Sequence, residues 1–242
     1  MRSISYYQVY DSQDDNMVFR FQRQNNQTNQ FEDKIVFVKI GNGGLPEHLH
    51  QLLFNECKIL KELVKPTVTR CYNGVLYFGI WKRYMSSANW TGDSHRDDKQ
   101  KKDVDNFLLS CAPAFKYICG ILKSRFLEIY NQYTESYSNI DTRLSDNIMK
   151  SFAPYKTMSI NLNRAVSIYK DWDGDINGIE CIAVAGDWEN GGDLVLEDLN
   201  AIIKIRPGDI YLLNSANIFH HVIPYTKGSR FSIILFNDKA MI

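Results

Sequence analysis

The chain has 242 residues, 44% hydrophobic and 23% charged, so we expect a packed core and exclude wholesale disorder. Lys plus Arg and Asp plus Glu both number 28, and a net charge of zero excludes nucleic-acid binding through bulk positive charge, though not through a local basic patch. Five cysteines without a C-x-x-C pair favour reduced thiols over disulfides or zinc. With no signal-peptide pattern and no membrane-length apolar run, we expect an intracellular protein, nuclear or cytoplasmic, and not a secreted or membrane protein.

The first residues with a clear pattern predict a hairpin and a helix. Residues 17–21 (MVFRF) and 34–40 (KIVFVKI) are predicted strands, and the Asn/Gln-rich stretch 22–34 is predicted to be a loop or hairpin tip. In 45–64 the apolar residues recur at helical spacing, and Pro46 suits an early helical position.

A strand, a loop and two helices are predicted next. Residues 74–84 (GVLYFGIWKRY) have a strand pattern, and 86–105, the most polar stretch, is predicted to be an exposed loop. Residues 106–137 have the spacing of a long amphipathic helix, interrupted near Pro113. A shorter helix is predicted over 143–152.

After Pro154 the pattern changes to short β-rich runs, such as TMSINLN, ECIAVAG, DIYLLN and SRFSIILF, separated by the turn signals DGDING, WENGGD and RPGD. This spacing predicts an antiparallel sandwich or barrel, and with the preceding helices the fold class is α+β. No linker clearly divides the chain. We therefore expect a single domain over 1–242, with a mainly helical part with a few strands at 1–156 and a β-core at 157–237.

Residues 161–236 resemble one known unit. The features are YKDWDGD, then GGDLVLEDLN with IKIRPGD, and then His220, Val222 and Arg230 at the spacing of that family. Together they resemble the double-stranded β-helix core (jelly roll, cupin-like) of the Fe(II)/2-oxoglutarate-dependent dioxygenases, especially the TET/JBP-like branch. The resemblance covers the C-terminal third closely and the preceding helical part in general layout. It implies that the β-core is a jelly roll.

The resemblance also implies a metal and co-substrate site. The family's H-x-D aspartate falls on Asp171 and its distal histidine on His220, so these two are the candidate iron ligands. Two imidazoles and one carboxylate leave coordination positions open for the co-substrate and dioxygen. The family's arginine falls on Arg230, which would bind the far carboxylate of 2-oxoglutarate through two hydrogen bonds. Ser232 lies on the same strand face and could add another hydrogen bond.

Tyr169 stands where the family has its first histidine. The pKa of a phenol is near 10 unless a metal or cation lowers it, so tyrosine does not simply replace imidazole. Three interpretations stay open. In the first, Tyr169 binds iron as tyrosinate, or water fills the position, and the chemistry persists. In the second, metal binding is lost and the barrel only binds ligands. In the third, the tyrosine was introduced to silence an enzyme. His95, in the charged loop SHRD, is interpreted as solvated, and it is the leading candidate for a replacement ligand.

Strand alternation constrains the neighbouring residues. His220 and His221 face opposite sides of a strand, and the family pattern selects His220 as the inward one. The alternative is that one of them is a core histidine and neither binds metal. Alternation also puts Arg230, Ser232 and Ile234 on one strand face, but the pattern alone leaves open whether that face is buried or exposed.

The acidic segment DGDING has a competing interpretation as a calcium loop. It begins like an EF-hand, but the twelfth position is Val184 instead of a bidentate glutamate, and the flanks resemble strands. A polar turn between two strands is therefore favoured for these residues, namely Asp173, Asp175, Asn177 and Gly178.

The function implied by the resemblance is that of a dioxygenase-like protein of TET/JBP type. It would use Fe(II) and 2-oxoglutarate to hydroxylate a nucleobase of DNA or RNA, such as 5-methylcytosine or thymine, after the base is flipped out of a duplex. The alternative is a catalytically inactive binding module on the same scaffold, because Tyr169 replaces the first metal ligand. A calcium-dependent protein is a third hypothesis.

Overall fold

The computed structural model describes residues 7–11, 16–24, 31–41, 44–64, 74–82, 87–94, 97–140, 144, 149–162, 168–171 and 174–242. Within these ranges the helices are α1 (Glu47–Leu63), α2 (Asp98–Ser110), α3 (Ala112–Arg125) and α4 (Leu127–Ser138). The strands are β1 (Gln8–Tyr10), β2 (Met17–Gln24), β3 (Phe31–Lys39), β4 (Val75–Trp81), β5 (Asn89–Trp90), β6 (Thr157–Leu162), β7 (Glu180–Gly186), β8 (Leu194–Leu196), β9 (Ala201–Ile203), β10 (Ile210–Leu213), β11 (His220–Val222) and β12 (Arg230–Phe236).

Two sheets form the β-core. The larger sheet has the strand order β2-β3-β10-β7-β12-β6-β4-β5, and the smaller has the order β1-β9-β8-β11. Neighbouring strands are antiparallel, except that β1 pairs with β9 in parallel. One hydrophobic cluster joins the sheets, with Ile182 and Val184 from the larger and Leu194 and Ile203 from the smaller. The predicted α+β fold with a jelly-roll core is confirmed.

The larger sheet separates two cores because successive side chains of a strand face opposite sides. Cys181, Ala183 and Ala185 of β7 belong to the core beneath the helices, as do the alternate residues of β12 from Phe231 onwards. The other residues of the same two strands face the interior of the barrel. Arg230 and Ser232 therefore lie inside the barrel.

The helix α2 begins inside a stretch that the sequence predicted to be a loop. The predicted loop over 86–105 is wrong at its C-terminal end, because α2 begins at Asp98. The carboxylate of Asp97 accepts a hydrogen bond from the backbone N–H of Gln100 at 2.8 Å and so caps the helix. The charged residues that suggested a loop lie on the exposed face of α2. Its buried face is narrow and consists of Gln100, Val104, Phe107 and Leu108.

The predicted helix over 106–137 is broken twice. The expected interruption occurs where α3 begins, with Pro113 in its first turn, a position that needs no donor. A second break lies at Phe126, whose φ of −140° and ψ of 61° are not helical. The described part of the predicted helix at 143–152 contains only a single 3₁₀ turn, Met149–Ser151.

A helix that crosses a membrane must be long and apolar, and the described helices differ from this requirement. None of them is by itself long and apolar enough to cross a membrane. Only α2 and α3 taken together reach that length and apolarity, and their axes differ by 59°.

Candidate functional site

Tyr169 and His220 form one side of the candidate site. They lie opposite each other in an isolated antiparallel bridge. The N–H of Tyr169 donates to the carbonyl of His220 at 3.1 Å, and the N–H of His220 donates to the carbonyl of Tyr169 at 3.0 Å. Their ring centroids are 4.4 Å apart with 54° between the planes. The backbone pairing therefore places the phenol directly against the candidate metal ligand.

His220 has the geometry of an imidazole that is ready to bind a metal. It is 5% exposed, and its Nδ1 lies 3.1 Å from the carbonyl oxygen of Ile218. If Nδ1 carries the proton and donates to that oxygen, the lone pair of Nε2 is available for a metal. Burial lowers the pKa of His220, which favours the neutral ring that metals need. His221 faces the other way, and its Nδ1 is 3.2 Å from Oε1 of Glu197.

Asp171 shares its surroundings with a second acid, Glu180. The backbone N–H of Asp171 donates to the carbonyl of Ser215 at 3.2 Å, and the hydroxyl of Ser215 donates to Oε1 of Glu180 at 2.6 Å. Ser215 is therefore hydrogen-bonded to both acidic residues, through its carbonyl to the backbone of Asp171 and through its hydroxyl to the carboxyl group of Glu180. Burial, and then the negative charge of Asp171, raises the pKa of Glu180 to about 8. Glu180 is therefore mostly protonated near neutral pH, so it can donate as well as accept a hydrogen bond.

The same environment keeps the phenol of Tyr169 neutral. The residue as a whole is 37% exposed, and it lines the cavity together with His220. Burial raises the pKa of Tyr169 well above its usual value, and the negative charges of Glu180 and then Asp171 raise it further. A tyrosinate ligand would have to form against all three effects.

Arg230 is buried inside the barrel, with an exposed fraction of 2%, so the surface alternative for this residue is wrong. Its Nη1 donates to Oγ of Ser232 at 2.6 Å, and the guanidinium also hydrogen-bonds the side chain of Tyr211. Its Cζ lies 5.3 Å from the ring centroid of Trp188. A fixed guanidinium beside two hydroxyl groups is a donor set suited to a carboxylate.

A small cavity of about 30 Å³, which is room for about two water molecules, lies beside Tyr169, His220 and Ser232. Its polar lining includes Asn161, Tyr169, Glu180, Tyr211, His220 and Ser232. Asn161 pairs with Ser232 in the register of β6 and β12. Within the described part of the chain, the buried Oδ1 of Asn161 has no hydrogen-bond partner. A buried amide oxygen in this state is a place where a ligand or water would bind.

These residues fit the two family cofactors unequally. The N–H donors of Arg230 fit a carboxylate ligand such as 2-oxoglutarate, whereas the open Oδ1 of Asn161 is an acceptor and suits water or a donor group of a ligand. For Fe(II) the fit is incomplete, because Asp171 and His220 supply a carboxylate and an imidazole while a neutral phenol takes the third position. Across the described ranges, no three or more His, Cys, Asp or Glu side chains are grouped to hold a metal ion.

The acidic segment after Asp171 forms a polar turn in its described part. The N–H of Gly178 donates to the carbonyl of Asp175 at 2.9 Å, and the N–H of Asn177 donates to the carboxylate of Asp175 at 3.0 Å. This agrees with the favoured interpretation for these three residues. Asp173 and His95 lie outside the described residues, so the replacement-ligand hypothesis for His95 stays a prediction.

Sequence reasoning did not single out three cavity residues: Glu180, Asn161 and Tyr211. A usable signal was present in the strand patterns. Asn161 continues the alternate polar positions of β6, and Glu180 is the acid that opens an otherwise apolar strand. In the observed register, Tyr211 lies beside Ile182, one alternate position from Glu180. Polar residues at inward positions of a core strand therefore marked the cavity.

Comparison with known proteins gives the fold. No known family profile matches the sequence, and no curated protein has a significantly similar sequence. Among solved structures, NgTET1 in complex with 5mC DNA matches with a TM-score of 0.63 at 18% identity, over 86% of this chain and 74% of its own. A Pseudomonas putida prolyl-4-hydroxylase has a TM-score of 0.43 at 13% identity, over 84% of this chain and 93% of its own. A 2OG-Fe(II) oxygenase family oxidoreductase from Burkholderia pseudomallei has a TM-score of 0.40 at 11% identity, over 77% of each chain.

The resemblance that the C-terminal motifs predicted is thus confirmed at the level of the fold. The likeness to NgTET1 extends over most of this chain, including the strands and helices before the jelly roll. The chain has a double-stranded β-helix fold similar to that of NgTET1.

Proposed function

We propose that this chain is a dioxygenase-like protein of TET/JBP type that depends on Fe(II) and 2-oxoglutarate and oxidises a nucleobase. The observation that carries the proposal is the buried Arg230, ten residues after His220, with the hydroxyls of Ser232 and Tyr211 on its guanidinium. A buried guanidinium that donates only to neutral hydroxyl groups is costly unless a ligand carboxylate also pairs with it. The distal carboxylate of 2-oxoglutarate is the ligand that suits this place in this fold.

Each proposed site residue has a separate task. Asp171 and His220 would hold Fe(II), whose contribution when bound is the activation of dioxygen. Arg230 and Ser232 bind and orient the far carboxylate of 2-oxoglutarate. Tyr169 lies beside His220 and limits access to it. Asn161 and Glu180 supply the remaining polar groups of the cavity wall.

The substrate proposed is a base of DNA or RNA, with the methyl group of 5-methylcytosine or thymine as the position oxidised. Support comes from the TET-like fold and from NgTET1 having been solved with 5mC DNA. The cavity is far smaller than a base, so a base would have to leave its stack and be held outside the cavity, against the site residues. Turnover of 2-oxoglutarate stimulated by 5-methylcytosine oligonucleotides supports this substrate, whereas stimulation only by a peptide or metabolite contradicts it.

A second candidate is a non-catalytic binding module on the same scaffold. The specific observation in its favour is Tyr169, whose neutral phenol packs on His220 where the family has an imidazole. In this case the barrel would keep the carboxylate site at Arg230 and bind its ligand without turnover.

Replacing Tyr169 decides between the two candidates. Wild type, Tyr169→His and the control Tyr169→Phe are loaded anaerobically with Fe(II), and both metal content and 2-oxoglutarate decarboxylation are measured. If only Tyr169→His binds iron and turns over, the scaffold is a dioxygenase that Tyr169 silences. Turnover by wild type supports the enzyme with an altered ligand set. If no variant binds iron or turns over, the dioxygenase proposal is wrong.

A further inference from the structure

The carboxylate site at Arg230 needs a fixed guanidinium. Arginine has a long flexible side chain, and holding a carboxylate through two hydrogen bonds requires the plane of the guanidinium to be set in advance. Ser232 accepts from one nitrogen at 2.6 Å, and this contact limits the position of one end of the group. The side chain of Tyr211 also hydrogen-bonds the guanidinium, and a group against its face would fix the remaining tilt of the plane.

Trp188 is the aromatic side chain whose ring lies against the guanidinium. The ring centroid of Trp188 lies 5.3 Å from Cζ of Arg230, within the range of a cation–π contact. Tryptophan is the aromatic side chain that attracts a cation most strongly. In general, a guanidinium that stacks on an aromatic ring uses its face and leaves its edge, which carries the N–H groups, for hydrogen bonds to a ligand.

Trp188 is itself held in one place by backbone on two sides. Its Nε1–H donates to the carbonyl of Gly191 at 3.0 Å, and the residue is 6% exposed. A Cβ added to Gly186 would come within 2.8 Å of the ring, and one added to Gly192 would come within 2.5 Å of Nε1. At both positions only glycine leaves room for the indole, so the ring lies in a slot that the backbone forms.

An acidic partner could also steady Arg230, but it would compete with the ligand carboxylate. The acid that acts on the Arg230 charge most directly after the neighbouring tyrosines is Asp193. Its two oxygens have other partners: Oδ2 accepts from Nζ of Lys204 at 2.7 Å, and Oδ1 from the N–H of Ile205 at 3.3 Å. The neutral indole can therefore orient the guanidinium without taking the place of the ligand.

We infer that Trp188 is a positioning residue: held between Gly186 and Gly192, it stacks on Arg230 and sets the guanidinium plane for a planar carboxylate. The inference rests on the proposed binding of 2-oxoglutarate at Arg230. Trp188 acts through Arg230 and makes no contact with the reacting atoms.

The first test is the dissociation constant for 2-oxoglutarate, measured by calorimetry in the presence of Fe(II) without oxygen. Trp188→Leu, which keeps bulk but has no ring face, should weaken binding about tenfold or more, since a buried cation–π contact is lost. Trp188→Phe keeps a ring face and should stay within about threefold of wild type. Trp81→Leu, in the distant strand β4, is the matched control and should bind as wild type.

Equal affinity for wild type and a folded Trp188→Leu would overturn the inference. Equal loss in Trp188→Phe and Trp188→Leu would also overturn it, because the ring face would then not be what matters. Thermal unfolding of each variant checks that it is folded. If Trp188→Leu does not fold, the affinity of Trp188→Phe and the proton–nitrogen spectrum of the ligand-free protein test the inference instead.

The second test does not depend on 2-oxoglutarate. In the proton–nitrogen spectrum of the ligand-free protein, the Nε–H signal of Arg230, assigned by its absence in Arg230→Lys, should be shifted by the indole ring current. The shift should persist in Trp188→Phe and vanish in Trp188→Leu. A shifted signal in a protein that never binds 2-oxoglutarate would sink the proposed function and keep the stacking. An unshifted signal in a protein that does bind it would sink the inference alone.

Discussion

Glu180 changes the charge that the cavity offers to a ligand. Because burial and the charge of Asp171 raise its pKa to about 8, most molecules near neutral pH carry a protonated Glu180. The hydroxyl of Ser215 donates to the same carboxyl group at 2.6 Å. An anionic ligand approaching Arg230 therefore meets less repulsion than two ionised acids, Asp171 and Glu180, would cause.

This protonation predicts a pH dependence of stability. The pKa of Glu180 rises from 4.5 towards 8 on folding, so its contribution is complete below about pH 4.5 and is lost as the pH rises through about 8. In metal-free protein, Glu180→Gln should remove a decline of roughly 2–4 kcal/mol in the free energy of unfolding across that window. Urea unfolding at several pH values with a chelator present measures it.

The control for this substitution is Glu189→Gln. The Glu189 side chain is 55% exposed, so the variant should keep the slope of the wild type. The same decline in wild type and Glu180→Gln would contradict the assignment of this pH dependence to Glu180.

At the residue scale, the sequence predicted the side-chain orientations that strand alternation and motif spacing control. His220 faces inward and Ser232 lies beside Arg230, as a period of two requires. Glu180 could not be predicted in the same way, because its electrostatic interaction with Asp171 depends on how the intervening turn folds back. Ser215, which joins the two acids, comes from a third segment of the chain.

At the scale of elements, the structure shows which boundaries have a local cause. The start of α3 was predictable because Pro113 must lie in a first helical turn. The break between α3 and α4 at Phe126 has no glycine or proline to mark it, and follows from where the two helices pack. The start of α2 was missed because its charged residues outnumber its apolar ones, although Asp97 offered a capping signal.

Two glycines test how tightly the elements are packed. Gly79 in β4 has a φ of +95°, and an added Cβ would lie 2.2 Å from the carbonyl oxygen of Lys156. Gly79→Ala should therefore destabilise the fold by roughly 2–4 kcal/mol, since neither the dihedral nor the neighbouring backbone can accommodate it. Chemical denaturation measures the change.

Gly120 in α3 provides the matched substitution, because an added Cβ there meets nothing within 4 Å. Gly120→Ala should stabilise the protein by about 0.5–1 kcal/mol, since alanine loses less backbone entropy in a helix. Similar effects of the two substitutions would mean that β4 is not packed against the Lys156 backbone as described.

At the scale of the molecule, the N-terminal part and the jelly roll share one sheet. β3 pairs with β10, and β4 pairs with β6, so strands from before residue 157 extend the larger sheet on both sides. The sequence predicted these strands but not their partners, because pairing over such separations depends on the whole fold. The proposal of one domain over 1–242 follows from this shared sheet.

One domain predicts one unfolding transition. Far-ultraviolet circular dichroism, which follows the helices, and tryptophan fluorescence should change at the same denaturant concentration. Phe231 of β12 lies 6.0 Å from Phe54 of α1 between ring centroids and is fully buried. Phe231→Ala should lower the stability seen by both probes by about 3–5 kcal/mol. Separate midpoints for the two probes would indicate two units.

The buried cysteine thiols can report local opening of the fold, because a buried thiol reacts slowly. Among the described residues, Cys57, Cys111, Cys119 and Cys181 are all buried, and burial raises the pKa of each. Since the thiolate is the reactive form, alkylation must wait until the surrounding structure opens. The four lie in α1, at the α2–α3 junction, in α3 and in β7. Their separate alkylation rates would therefore time the opening of the helical layer against that of the sheet, with no engineered cysteine.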